Sequence, residues 1–206
     1  EEMKKYIGEG RWHISGSSWD ATDALVPSTE SFIRNIMLGQ QYYRQEFGVE
    51  STDIFLPDCF GFGWTLPTIA SHCGLIGFSS QKLDWRVHPF YGKSKHPFTI
   101  GLWKGIDGSS IMLAHGYDYG RRWNDEDLSE NEQLKELAGR TPLNTVYRYY
   151  GTGDIGGSPT RASVRSVEKG LRGNGPVEIV SATSDQLYKD YLIRIIRNYR
   201  YSTVNC

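Results

Sequence analysis

The sequence predicts an α/β fold, and three observations carry that reading. Short β-rich runs alternate along the chain with amphipathic helical stretches. Between two of these runs lies a stretch with Phe32, Ile36, Tyr43 and Phe47 on one stripe, the pattern of a helix that packs on a sheet. The apolar run Ile54-Phe55-Leu56 ends in Pro57-Asp58 ahead of a glycine-punctuated turn, as a strand does where it hands over to a helix.

In chain order, residues 1–8 read as the last turns of a helix, so the chain is expected to begin inside a domain. A strand is expected over 11–14. The clearest helix starts near Ser28, after Pro27, and stops at Gly48. A strand over 52–56 follows, then a helix over 64–72 and a strand over 76–79. Residues 84–97 read as an aromatic, proline-containing loop. Strands are expected over 98–103, 110–114 and 145–149, and helices over 126–138, 161–171 and 181–191. From Leu192 onward the chain carries three arginines and no acid through Arg200, so 1–191 is read as one α/β domain and 192–206 as a basic tail. There is no internal repeat and no low-complexity linker.

With 38% hydrophobic residues and a formal net charge of −1, the chain has material for a core and no electrostatic pull toward nucleic acid or a membrane surface. No apolar run reaches transmembrane length, and Glu1-Glu2-Met3-Lys4-Lys5 has no signal-peptide pattern, so no compartment is assigned. Cys59, Cys73 and Cys206 cannot all pair and have no CxxC spacing, which suggests neither a disulfide framework nor a thiolate metal site. The thirteen Tyr and six Trp are many for this length; most suit a core and its rim, and some suit sugar rings.

Asp58 is placed where α/β barrels present catalytic groups, at a strand exit. An aspartate at a strand-to-helix junction can also be an N-cap, and its neighbours decide between the two. Leu56-Pro57-Asp58-x-Phe60-Gly61 is preceded by Trp19-Asp20-Ala21-Thr22-Asp23 and Val26-Pro27-Ser28-Thr29-Glu30-Ser31, and followed by Gln81-Lys82-Leu83-Asp84-Trp85. Farther on come Trp103-Lys104-Gly105-Ile106-Asp107-Gly108 and Gly151-Thr152-Gly153-Asp154-Ile155-Gly156-Gly157-Ser158-Pro159-Thr160. This ordered set resembles the N-terminal catalytic domain of glycoside hydrolase family 38, the retaining α-mannosidases, in its bacterial-type members. It spans roughly residues 1–190.

The resemblance implies a partial (β/α) barrel with mostly parallel strands, an α-mannoside oligosaccharide substrate, and a zinc ion. Asp58 is implied as both nucleophile and zinc ligand, and Asp154, in its glycine-rich loop, as the acid/base. The loop departs from the family pattern at Ile155 and Ser158, and Asp154 could instead cap the helix that starts near Pro159. Phe60 matches the aromatic on which the family stacks the sugar, with core packing as the alternative. Lys82 matches a cation beside the nucleophile, where it would keep Asp58 ionised. Asp23, Tyr117 and Tyr119 are further candidates for hydroxyl contacts.

The family's His-x-Asp pair and later zinc-binding His have no counterpart in the sequence, and His13, His72, His88, His96 and His115 stand singly. The expectation is a truncated catalytic domain, inactive and metal-poor by itself, whose cut sheet edge promotes self-association. A polysaccharide deacetylase-like barrel would need a paired His motif that is absent. A non-catalytic carbohydrate-binding remnant is the other reading.

Overall fold

The protein is described here as a computed structural model that covers residues 1–82, 100–115, 120–141, 144–153 and 155–198, with backbone only at 115 and 193–198. Two compact units divide it. One comprises Glu1–His96, Ile100–His115 and Thr183–Cys206, the other Pro97–Thr99 and Gly116–Ala182.

The first unit opens with helix α1 (Glu2–Gly8) and the long helix α2 (Thr29–Phe47). Ser28 caps α2 by accepting a hydrogen bond from the Ser31 N–H, and Gly48 ends it in the left-handed conformation. Strand β1 (Asp53–Phe55), helix α3 (Leu66–His72) and strand β2 (Gly77–Ser80) form a strand–helix–strand crossover, so β1 and β2 lie parallel, with Asp53 opposite Gly77 and Phe55 opposite Ser79. Strands β3 (Ile100–Lys104) and β4 (Ser110–His115) complete a sheet ordered β1-β2-β4-β3. β4 runs parallel to β2 and β3 antiparallel to β4, because a tight turn closed by Gly108 N–H donating to Gly105 O cannot make a parallel crossover.

All four residues of β2 are buried, as suits a central strand. Phe78 anchors the core with edge-on contacts to Phe62 and Trp103. Helix α6 (Gln186–Asn198) lays buried Tyr188 directly over Gly77, where an added Cβ would fall 2.0 Å from the ring.

The second unit packs helix α4 (Glu132–Gly139), helix α5 (Arg161–Arg172) and the 3-10 turn Leu128–Glu130 around Trp123, Leu128 and Leu134, with Val167, Val177 and Ile179 against them. Ser163 and Ser166 of α5 accept hydrogen bonds from the backbone N–H groups of Trp123 and Glu126.

The architecture is α/β, as the alternation predicts. The described strands form a four-stranded, mostly parallel sheet. Residues 11–14 are not a strand, since the N–H groups of Arg11 and Trp12 both donate to Tyr6 O and finish α1. Nor are 145–149, which have no neighbouring strand among the described residues. The single helix expected over 126–138 is two elements, because Asn131 caps α4 through its Oδ1 and interrupts the run. α6 starts at Gln186 instead of 181. No helix among the described residues is long and apolar enough to cross a membrane.

Candidate active site

The site grows from the exits of β1 and β2. Leu56 N–H donates to Ser79 O and prolongs the parallel pairing by one residue before Pro57 turns the chain. Asp58 thus leaves β1 at the same edge at which Lys82 leaves β2. Their side chains meet there, with Lys82 Nζ 2.7 Å from Asp58 Oδ1. The lysine side chain is 8% exposed and the aspartate 50%. A cation buried along its stem thus meets a half-exposed carboxylate through one of the two carboxylate oxygens.

Phe60 completes the arrangement. The ammonium of Lys82 sits 4.6 Å from its ring centre, a cation–π contact, and yet the ring is 70% exposed. An aromatic held on one side by a cation and open on the other offers a platform to an apolar sugar face. This geometry answers two alternatives left open by the sequence, for Asp58 and Phe60, and places Lys82. Asp58 is not the cap of α3, because that position is Thr65. Phe60 is not a core residue, and Lys82 is not a solvated surface lysine.

Opposite Asp58 stands the loop 19–26. Cys59, next to the aspartate, donates its thiol to Thr22 O at 3.0 Å. Burial pushes the Cys59 thiol up from its ordinary value, and the charges of Asp23 and Asp58 push it further, so the two acids flank one sulfur. Asp23 Oδ1 accepts the N–H groups of Leu25 and Val26 at 2.7 and 2.9 Å, and these bonds hold its carboxyl below the usual carboxylate range. Asp23 therefore shapes its own loop through Oδ1. Leu25 lies on Gly61, where a Cβ would come within 2.5 Å of its Cδ1. The roles of Cys59 and Thr22 had no signal in the sequence, since a backbone carbonyl and a thiol carry no motif.

A family model for the N-terminal domain of the glycosyl hydrolases of family 38 matches residues 1–199. The chain belongs to glycosyl hydrolase family 38. It is 34% identical over 162 residues to alpha-mannosidase G of Dictyostelium discoideum, covering 78% of this chain and 14% of that protein. Mouse alpha-mannosidase 2C1 is 28% identical over 188 residues, covering 90% of this chain and 17% of its own length. The chain thus spans less than a fifth of these relatives. The crystal structure of an alpha-mannosidase from Enterococcus faecalis V583 superposes with a TM-score of 0.66 at 19% identity, over 97% of this chain and 22% of that one. A 4-alpha-glucanotransferase from Thermococcus litoralis superposes with a TM-score of 0.56 at 14% identity, over 93% of this chain and 28% of that one. Both likenesses concern the fold.

Within this family-38 domain, Asp58, Phe60, Lys82 and the Asp23 loop come together in the first unit. Asp154, Tyr117 and Tyr119 lie outside the described residues. The cap of α5 is Thr160, whose hydroxyl accepts from Ser163 N–H. Among the described residues no three His, Cys, Asp or Glu side chains converge on one point, and one oxygen of Asp58 pairs with Lys82.

The other end of β1 holds a contrasting pair of buried acids. Asp53 accepts from the Ser15 and Ser51 hydroxyls, and burial raises its carboxyl above the ordinary range. Burial alone would raise Asp185 too, but hydrogen bonds from Lys189, Thr183 and Thr52, with the charge of His13 3.2 Å away, bring it down to about 2. This network ties α6 to the sheet and sits away from the strand exits. His72 likewise serves structure, pairing at 2.7 Å with Asp107 in the β3–β4 turn.

Proposed function

We propose that this family-38 domain belongs to a zinc-dependent retaining α-mannosidase in which Asp58 is the nucleophile. The observation that carries the reading is the Asp58–Lys82–Phe60 group: a half-exposed carboxylate at a parallel-strand exit, with one oxygen on a buried ammonium, and an exposed ring beside it. Such a carboxylate is oriented without being consumed by its neighbours, which is what attack on an anomeric carbon requires.

In this reading Asp58 bonds to the anomeric carbon and Asp154 protonates the departing oxygen, the division of roles that retaining enzymes give their two carboxylates. Asp154 then takes a proton from water, which releases mannose from the covalent mannosyl-enzyme. Phe60 stacks the ring, and Asp23, Tyr117 and Tyr119 contact hydroxyls. Zinc would supply charge against two ring hydroxyls, with Asp58 as one ligand and the rest from outside this chain. No step above depends on it. The substrate is an α-mannoside oligosaccharide, the sheet is part of a (β/α) barrel, and the 206-residue chain alone is inactive.

The experiment uses a protein carrying the whole catalytic module. Asp58→Asn should abolish turnover of an activated α-mannoside, and a fluorinated mannosyl donor that forms the intermediate but releases it slowly should label Asp58. Substantial residual activity, or a label on another carboxylate, would remove Asp58 from the role. Mannoside binding with no turnover in the intact module would favour a carbohydrate-binding protein.

A further inference from the structure

The loop 19–26 has no regular secondary structure and still occupies a defined place beside Asp58. Its hold comes from one stripe of α2. Asn35 Oδ1 accepts from Asp20 N–H at 3.0 Å, and Asn35 Nδ2 donates to Asp20 O at 3.1 Å and to Thr22 Oγ1 at 2.7 Å. The backbone carbonyl of Asn35 also accepts from Trp19 N–H at 3.0 Å. One turn on, Gly39 lets the segment cross the helix in direct contact: a Cβ there would lie 2.5 Å from Ser17 O and 2.7 Å from Trp19 N. Another turn on, Tyr43 donates its hydroxyl to Ser18 O at 3.0 Å. Positions 35, 39 and 43 thus form a row at helical spacing along which the segment 17–22 is laid.

Past Thr22 the same segment turns to the site, where Thr22 O takes the Cys59 thiol and Leu25 rests on Gly61. An asparagine that satisfies both the N–H and the C=O of one backbone residue acts as a neighbouring strand would, which fixes translation and rotation together. We propose that Asn35 is a positioning residue that sets loop 19–26 as a rigid wall of the Asp58 site. Without it Asp23 and the Thr22 carbonyl are free to move away from Asp58 and Cys59. Calling the walled site a mannoside site rests on the functional reading above; the positioning role does not.

Cys59 reports the loop, and Cys73, at the C-terminal end of α3, reports the rest of the unit. The 206-residue chain is alkylated with iodoacetamide at fixed pH, and peptide mapping follows each cysteine separately. Asn35→Ala should raise the Cys59 rate about tenfold, the effect of losing two or three hydrogen bonds of modest net worth, and leave the Cys73 rate within about twofold of the parent. Asn35→Asp, which keeps the shape and the acceptor for Asp20 N–H, should fall between Asn35→Ala and the parent. Thr22→Val, which removes the bond from Asn35 Nδ2 and the Thr22 hydroxyl's own bond to Asp20 O but keeps the Asn35–Asp20 pair, gives a milder second variant should Asn35→Ala fold poorly, and should still raise the Cys59 rate selectively. An unchanged Cys59 rate, or parallel rises at Cys59 and Cys73, would overturn the proposal. A selective Cys59 rise in a chain whose intact module proves not to hydrolyse mannosides would leave Asn35 positioning a site for another ligand.

Discussion

Lys82 Nζ and Asp58 Oδ1 lie 2.7 Å apart because β1 and β2 are adjacent parallel strands that end at one edge. The ammonium also lies over the Phe60 ring, 4.6 Å from its centre. The pair therefore couples the two strand exits, and its removal has a defined cost.

Lys82→Met keeps the length and volume of the buried stem and deletes the charge. It should lower stability by about 1 kcal/mol, the sum of a half-exposed ion pair and a cation–π contact less the gain from burying a thioether. Urea unfolding of the chain measures it. No loss of stability would mean that Asp58 and Phe60 are placed by their own turn and not by Lys82.

Asp154→Asn, in a protein with the whole catalytic module, should slow substrates with poor leaving groups far more than activated phenolates, since only the former need protonation of the departing oxygen. Comparing kcat/KM for an oligosaccharide and a nitrophenyl mannoside decides it. Equal losses on both would take the acid role away from Asp154.

Gly39→Ala would be expected to stabilise a helix by about 1 kcal/mol from intrinsic propensity. Here the sign should reverse. The new Cβ would meet backbone atoms of Ser17, Ser18 and Trp19, which cannot turn aside as a side chain can, so a loss of about 1–3 kcal/mol is expected. Thermal unfolding with circular dichroism reads the difference.

The buried acids set opposite pH dependences. The carboxyl of Asp185 is depressed to about 2, so its contribution is present above the unfolded value near 4 and is lost as pH falls toward 2. That of Asp53 is raised, so its contribution is full below the unfolded value and is lost as pH climbs through the folded one. Asp185→Asn should flatten the acid side of a stability–pH curve, and Asp53→Asn should reduce the decline above pH 4. Curves identical to the parent for both variants would contradict this assignment of protons.

Zinc should not stay with the 206-residue chain through dialysis, because one carboxylate with an oxygen already on a lysine is far short of the three or four ligands of a tight site. Elemental analysis checks this, and the same preparation should show no hydrolysis of an activated α-mannoside above background. Stoichiometric zinc would reveal ligands beyond those described.

Much of the frame was legible because it is local. The alternation of strand and helix, the bounds of α2 between Ser28 and Gly48, and the strand exit at Asp58 each depend on residues within a few positions of one another. Where a reading failed, a long-range partner had decided the matter. Residues 11–14 have a strand-like pattern, but Arg11 and Trp12 spend their N–H groups on the end of α1, and 145–149 have no ladder to join among the described residues. The interruption at Asn131 was visible as a residue but not as a cap until Leu134 N–H found its side chain.

The sequence by itself determined the α/β class, the family and the identity of the carboxylate presented at the end of β1, because periodicity and short ordered motifs are properties of the chain alone. Only the tertiary structure decided that Lys82 is buried against Asp58, that Phe60 is open, and that Asn35 holds loop 19–26 beside Cys59. Those relations depend on which strands are neighbours and where a loop crosses a helix, and residues far apart in sequence acquire a distance only when the chain is folded.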